Sequence, residues 1–197
     1  MPGRYLPDLL QTDAFDFPID VCQAAVLELS TAQAAAADDD AILAAFTVGT
    51  TAGGVTKTTF AAQPPYPRNV TMTSTGTAGN VKAGKAYIYG IAMDGSAISE
   101  EVTITADSHV AFTGTKAFVK VTKVFVPVMD GSVSFKVGFG DLYGLPYKLA
   151  TKPLCIGSVD GVQEDVTLAV SADGIEGNTF TFSSAPAGEA VKLVLFV

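Results

Sequence analysis

Tryptophan is absent from this chain, histidine occurs once and cysteine twice. Each scarcity removes a class of chemistry. Without tryptophan the best stacking platform for sugars is missing, although six tyrosines remain. A single histidine, His109, cannot build a His-rich metal centre. Cys22 and Cys155 lie far apart and form no CxxC, so two reduced, buried thiols are expected in place of a zinc site or a disulfide framework. Charge is also scarce. Only 16% of the 197 residues are charged, and 12 Lys+Arg against 20 Asp+Glu give a formal charge of −8. A net negative chain repels phosphate backbones, so nucleic acid is not the expected ligand. No run approaches ~18 uninterrupted apolar residues, so no membrane span is expected. The opening MPGRYLPDLL lacks a basic segment followed by a long apolar stretch. It does not read as a secretory signal, and synthesis in a cytoplasm is expected.

Motifs of catalysis are missing too. There is no GxxxxGK[ST], and no GxGxxG stands between a strand and a helix. His109 has Ser108 and Asp107 beside it, but neighbours on an extended segment point to opposite faces, so a triad is not expected there. Glu100 and Glu101 are separated in the same way and do not form a facing carboxylate pair. Asp38-Asp39-Asp40 lacks the spacing and glycine of a calcium loop and reads as a solvated turn. Asn69-Val70-Thr71 fits a glycosylation sequon but reads as plain strand. No enzyme activity, cofactor or metal is expected.

What remains is β-pattern. Hydrophobic residues make up 48% of the chain. A chain of this length buries roughly 70% of the surface its unfolded form exposes, enough to fold without staples. So few charges make a better surface for a subunit that buries area against partners than for a free monomer. Val-, Thr-, Ile-, Tyr- and Phe-rich runs predict strands at 42–48, 55–60, 69–74, 85–92, 98–105, 117–126, 132–137, 165–170, 179–182 and 190–196. Gly, Asn and Asp punctuate them. Met93-Asp94-Gly95 predicts a type I′ hairpin joining 85–92 to 98–105. Within the second strand Glu100 interrupts the Ile98, Val102, Ile104 face, which places it at an edge or rim. The run 139–146, with its glycines and Leu145-Pro146, reads as a compact connection. The predicted fold is mainly β: an antiparallel sandwich or barrel with Greek-key or jelly-roll-like connections. It would occupy residues 41–197, with 146–197 as closing strands.

Residues 1–40 read as an N-terminal arm. Pro2, Pro7 and Pro18 keep it extended or turning. Val21–Leu29 fits a strand or a short helix, and Thr31–Ala37 is helix-permissive but short. Leu9, Leu10, Phe15 and Phe17 are the candidate contact residues. They fit either a groove on a partner or the cover of the protein's own core.

Several stretches, in order, carry a resemblance: Asp38-Asp39-Asp40-Ala41-Ile42-Leu43, Pro67-Arg68-Asn69-Val70-Thr71, Gly79-Asn80-Val81, and Tyr87 through Gly95 closed by Ser99-Glu100-Glu101. Lys116-Ala117-Phe118 with Val121 and Val124, Val137 through Asp141 with Leu145-Pro146, and Asp173 through Thr179 complete the set. Together they resemble small virion proteins of tailed double-stranded-DNA bacteriophages, in particular the capsid decoration (cement) proteins. The resemblance implies a β-rich subunit on the capsid surface of the virion, assembled in the host bacterial cytoplasm. It implies the major capsid protein and further copies of the chain as partners, a trimer being favoured. It brings no catalytic residues. The alternatives are a tail or head–tail joining subunit, and a carbohydrate-binding adhesion module.

Overall fold

The computed structural model describes residues 9–12, 15–20 and 23–196, with side chains from residue 23 onward. Every strand pairing is antiparallel, and the fold is a β-sandwich built as two lobes that share one long strand. Two strands, Leu9–Thr12 (β1) and Phe15–Asp20 (β2), form a hairpin by themselves. Ala24–Leu29 (β3) follows. It lies inside the stretch expected as an arm, yet it is an edge strand of the second lobe's sheet.

The first lobe packs two sheets face to face. One holds Asp38–Val48 (β4), Arg68–Gly76 (β6), Ala111–Thr113 (β9) and the start of Val133–Gly144 (β11). The other is ordered Val55–Lys57 (β5), Lys120–Val126 (β10), Gly84–Ile91 (β7), Ala97–Ile104 (β8). The chain crosses between these sheets after β4, β5, β6, β8, β9 and β10. β8 shows why the sequence folds this way. Ile98, Glu100, Val102 and Ile104 are buried and the residues between them are exposed, the two-residue period of a half-buried strand. Ile42, Val70, Met72, Ile88, Val124, Phe135 and Val137 meet these residues in the first core. Each large apolar side chain there contributes about 1.5–3 kcal/mol through burial.

The second lobe has a four-stranded sheet ordered Val162–Glu164 (β13), Leu154–Val159 (β12), Val191–Phe196 (β16), β3. Under it lie Val166–Ala169 (β14) and Thr179–Phe182 (β15), which joins the far end of β11. Its smaller core is aromatic. Phe180 stacks on Tyr143 at 5.4 Å between centroids, and Phe182 meets Phe180 edge-on at 5.7 Å.

Several local expectations change. The Asp38–Asp40 run opens β4 instead of forming a break, because its backbone pairs with β11 at Phe139. The Ala-rich segment makes one turn, fixed by Ser30 and Gln33 in a reciprocal cap, and then extends. The run 139–146 is not a free connection: β11 continues through Gly144. The hairpin between β7 and β8 is present, but Ile91 stands opposite Ala97, one residue away from the register that a two-residue Asp94-Gly95 turn would set. Its turn is not type I′, since only Gly95 has positive φ (84°), and Gly95 N donates to Ala92 O. That is a three-residue loop ending in a left-handed glycine. The two-residue turn with positive φ at both positions lies elsewhere, at Asp160 (48°) and Gly161 (79°), between β12 and β13.

Candidate functional site

Two features distinguish this molecule from a plain sandwich: a buried polar junction between the lobes, and open apolar surface. The junction is built on Arg68, the first residue of β6. It is fully buried, and its guanidinium lies between the rings of Phe139 (4.7 Å) and Tyr143 (4.6 Å). Nε donates to Gly140 O at 2.6 Å, one terminal nitrogen donates to Ala35 O, and the other pairs with Asp141 Oδ1 at 2.6 Å. Burial pulls the guanidinium below its ordinary value, and the Asp141 charge opposes this. Burial likewise pushes the Asp141 carboxyl up, with Arg68 opposing. Phe139 belongs to the first core and Tyr143 to the second, so one cation joins both.

Neighbouring polar groups also bind backbone. Asn69 donates to Gly114 O at 3.0 Å and accepts from Leu142 N at 3.1 Å, so the sequon asparagine is an interior strut. Asn178 donates to Ser171 O and Gly174 O, each at 2.9 Å, and accepts from Leu149 N at 3.2 Å, which fastens two loops together. Gln63 exchanges two hydrogen bonds with Val121 and extends the ladder of β10 beyond the end of β5.

Glu100 is on an edge strand, as expected, but its carboxylate is buried at 7% exposure. Oε1 accepts from Thr115 N (2.6 Å) and Lys116 N (2.9 Å), while Oε2 has no protein partner. Burial pushes this carboxyl above its ordinary value.

The remaining titratable candidates are at the surface. His109 is exposed on the loop after β8, beside a hollow of about 390 Å³ that Glu101, Thr103 and Ser108 also line. The carboxylates of Asp38, Asp39 and Asp40 are exposed and clustered, and Lys136 pairs with Asp39 at 2.6 Å. Hydrogen bonds from Asp40 lower the Asp38 pKa, and Asp38 raises that of Asp40. Cys155 is half-buried, and burial raises its thiol pKa. Cys22 lies outside the described residues.

The open surface was not anticipated from the sequence. On the outward face of the second lobe's sheet, Ile156, Val194 and Val26 stand in one cross-strand row, with Leu154, Phe196 and Ala24 in the next. Leu154 is 71% exposed, Val26 49% and Ile156 46%. The third row, Ser158, Lys192 and Glu28, is polar, and Lys192 pairs with Glu28 at 3.0 Å. A second apolar area is a hollow of about 410 Å³ lined by Pro64, Pro65, Tyr66, Met93 and Val119. Burial of the Tyr66 phenol pushes its pKa up to about 12.

Of the contact residues expected in the arm, Leu9 and Leu10 lie on β1, and Phe15 and Phe17 on β2. Leu10 stands opposite Ile19, and Leu9 opposite Asp20. Their side chains lie outside the described residues.

No family model matches this chain. No curated protein matches it either. Among solved structures, the chain aligns over its full length with 38% of the chain in "Crystal structure of infectious bursal disease virus VP2 subviral particle", at 14% identity and a TM-score of 0.20. A likeness at that score carries no argument about this protein.

Proposed function

We propose that this chain is a structural protein of a tailed-phage virion that binds the outer capsid surface and stabilises the head, acting as a homo-oligomer, with a trimer favoured. The observation that carries this reading is how the buried polar groups are used. Arg68, Asn69, Asn178 and Glu100 direct most of their hydrogen bonds at the protein's own backbone and so fix a shape. Apolar side chains such as Met93 and Val119 remain on the outside. A rigid body with exposed apolar patches is suited to covering other proteins. The hollow beside Met93 and Val119 is the proposed contact with the major capsid protein. The ordered resemblance described above supports the same reading.

The test is rebinding of purified protein to heads that lack it, followed by electron microscopy. Density on the capsomers is the expected result, and density confined to the tail overturns the proposal in favour of a tail or joining subunit. Exchanging Met93 and Val119 for Glu is expected to weaken head binding at least tenfold, the effect of about 1.4 kcal/mol. One observation favours the carbohydrate-binding alternative: Tyr87 and Tyr89 lie 6.0 Å apart on the outer face of β7. Against it, the Lys123 ammonium sits 3.9 Å from the Tyr89 ring centroid, over the face a sugar would stack on.

A further inference from the structure

Between β9 and β10 the chain crosses from one sheet of the first lobe to the other, and its backbone N–H groups from Gly114 to Phe118 are all taken up. Gly114 N donates to Val70 O at 2.8 Å, Ala117 N to Glu176 O at 2.8 Å and Phe118 N to Arg68 O at 2.7 Å. Between these, Thr115 N and Lys116 N both donate to a single side-chain atom, Glu100 Oε1 on β8. The crossing segment is thus a strap. Glu100 holds its middle, Glu176 in the loop ahead of β15 holds its far side, and it runs into the backbone of Arg68, whose guanidinium touches both cores.

The strap also seals the carboxyl that holds it. Gly114 lies directly against Oε2, where any side chain would collide with the carboxylate. Oε2 is buried and has no protein partner. The two oxygens therefore differ. Oε1 is engaged by both N–H donors, so a proton taken up by Glu100 goes to Oε2, which has no donor to lose. Protonation keeps the bonds to the strap and removes only the buried charge, the costly part of the arrangement. Burial is the largest influence on this carboxyl and raises its pKa, while the bonds from Thr115 and Lys116 and the Lys116 charge act against it. Lys116 Nζ donates to Ser99 O at 3.2 Å and lies 3.9 Å from Glu176 Oε1. Ile88, opposite Glu100 on β7, and Val70 and Asn69, behind Gly114, are uncharged. Glu101 points to the other face of β8 and pairs there with Lys85.

We propose that Glu100 and residues 114–117 form a proton-operated latch: the strap stays closed over the carboxyl while Oε2 carries a proton, and lifts more often once that proton has left. Lifting the strap opens the carboxyl to water, where it holds a proton less tightly than under Gly114. A rise in pH therefore favours the open form, and a fall favours the closed one. The effect reaches the lobe junction, because the strap runs directly into Phe118 and its backbone pairing with Arg68. The latch does not depend on capsid binding.

The experiment is amide hydrogen exchange in the full-length chain from about pH 4 to about pH 8, with rates corrected for the base catalysis of exchange itself. Protection of the Thr115 and Lys116 amides is expected to fall at least about threefold across that range. Flat protection overturns the proposal. At each pH these two amides are expected to be less protected than those of β7. Equal protection means that the strap opens only when the whole protein unfolds, and overturns the proposal as well. Glu100→Gln keeps an acceptor at Oε1 and carries no charge, so its strap is expected to stay closed at every pH. A pH dependence as steep as the parent's in this variant rules the latch out. Lys116→Met is a second variant, at a half-exposed position. It removes the cation that opposes protonation, so the fall in Thr115 protection is expected at higher pH. A fall that stays in place or moves to lower pH overturns the proposal.

Discussion

The two lobes solve the same packing problem differently. The first closes a large mixed core of aliphatic and phenylalanine side chains between two sheets and turns polar side chains outward along β8. The second builds a core about half as large around the Tyr143–Phe180–Phe182 stack and leaves a sheet face apolar on its outside. A large closed core confers independence, and a small open one depends on added cover. The lobes are not separable bodies, because β11 runs through both and Arg68 touches both cores.

Removing Arg68 is the strongest way to break this comparison. Arg68→Ala strands the Asp141 charge and two carbonyls and leaves a cavity between Phe139 and Tyr143. Asp141 keeps 32% of its side-chain surface exposed, which places the cost at the lower end of the about 3–5 kcal/mol of a fully buried pair. Denaturant melts should show that loss, and hydrogen exchange should accelerate in both lobes. Acceleration confined to one lobe would mean that the guanidinium does not join them.

A lobe-specific lesion comes next. In Gly157→Ala, the new Cβ would meet Val166 Cγ2 at 2.3 Å and the Phe182 ring at 2.6 Å. Overpacking of this kind costs roughly 1–3 kcal/mol. Exchange protection should fall in β12, β14, β15 and β16 and hold in β7 and β8. Equal loss everywhere would show a single cooperative unit with no internal grading.

Glu100 tests the first lobe through pH. Its folded pKa is above its ordinary value near 4.5, so the folded state holds the proton more tightly than the unfolded one. Its contribution is most favourable at low pH and falls as pH rises from about 4.5 through the higher folded value. In Glu100→Gln that slope should vanish, and the variant should gain on the parent as pH rises across this window. Parallel stability curves for the two proteins would contradict a buried, reluctantly ionised carboxylate. The smallest effect belongs to Tyr143→Phe. The buried Tyr143 hydroxyl has no protein partner, so its removal should leave the melting temperature unchanged or raise it slightly. A clear drop would reveal a bond to that hydroxyl.

Much of the first lobe was legible in the sequence, because its strands alternate and turn residues separate them. The antiparallel pairing of β7 with β8 follows from that pattern alone. The turn type did not, because Asp-Gly serves both a two-residue I′ turn and a loop in which only the glycine is left-handed. Asp160-Gly161, the true I′ case, lay in a stretch where no strand was expected. The glycines of β11 misled for a different reason. Gly138 reads as punctuation, but it is needed for close approach: a Cβ there would lie 1.8 Å from Asp38 O. A glycine used for contact looks the same in sequence as a glycine used for turning. Arg68 was opaque because a charged residue gives no local sign that it will be buried, whereas the two-residue spacing of Glu100 with Ile98 and Val102 placed it on their face and left only its depth unread. The partner of Arg68, Asp141, is 73 positions away. The apolar face around Ile156 depends on which strands become neighbours, and neighbour choice is not written in any one segment.

The pairing of β3 with β16 has a consequence for synthesis. Every strand of the first lobe lies between residues 38 and 144, so that lobe can assemble while the chain is still on the ribosome. The second sheet cannot: its edge strand Ala24–Leu29 must wait for Val191–Phe196, nearly the whole chain later. Until then β3 has no companion, and the emerging polypeptide is most prone to sticking to its neighbours during that interval.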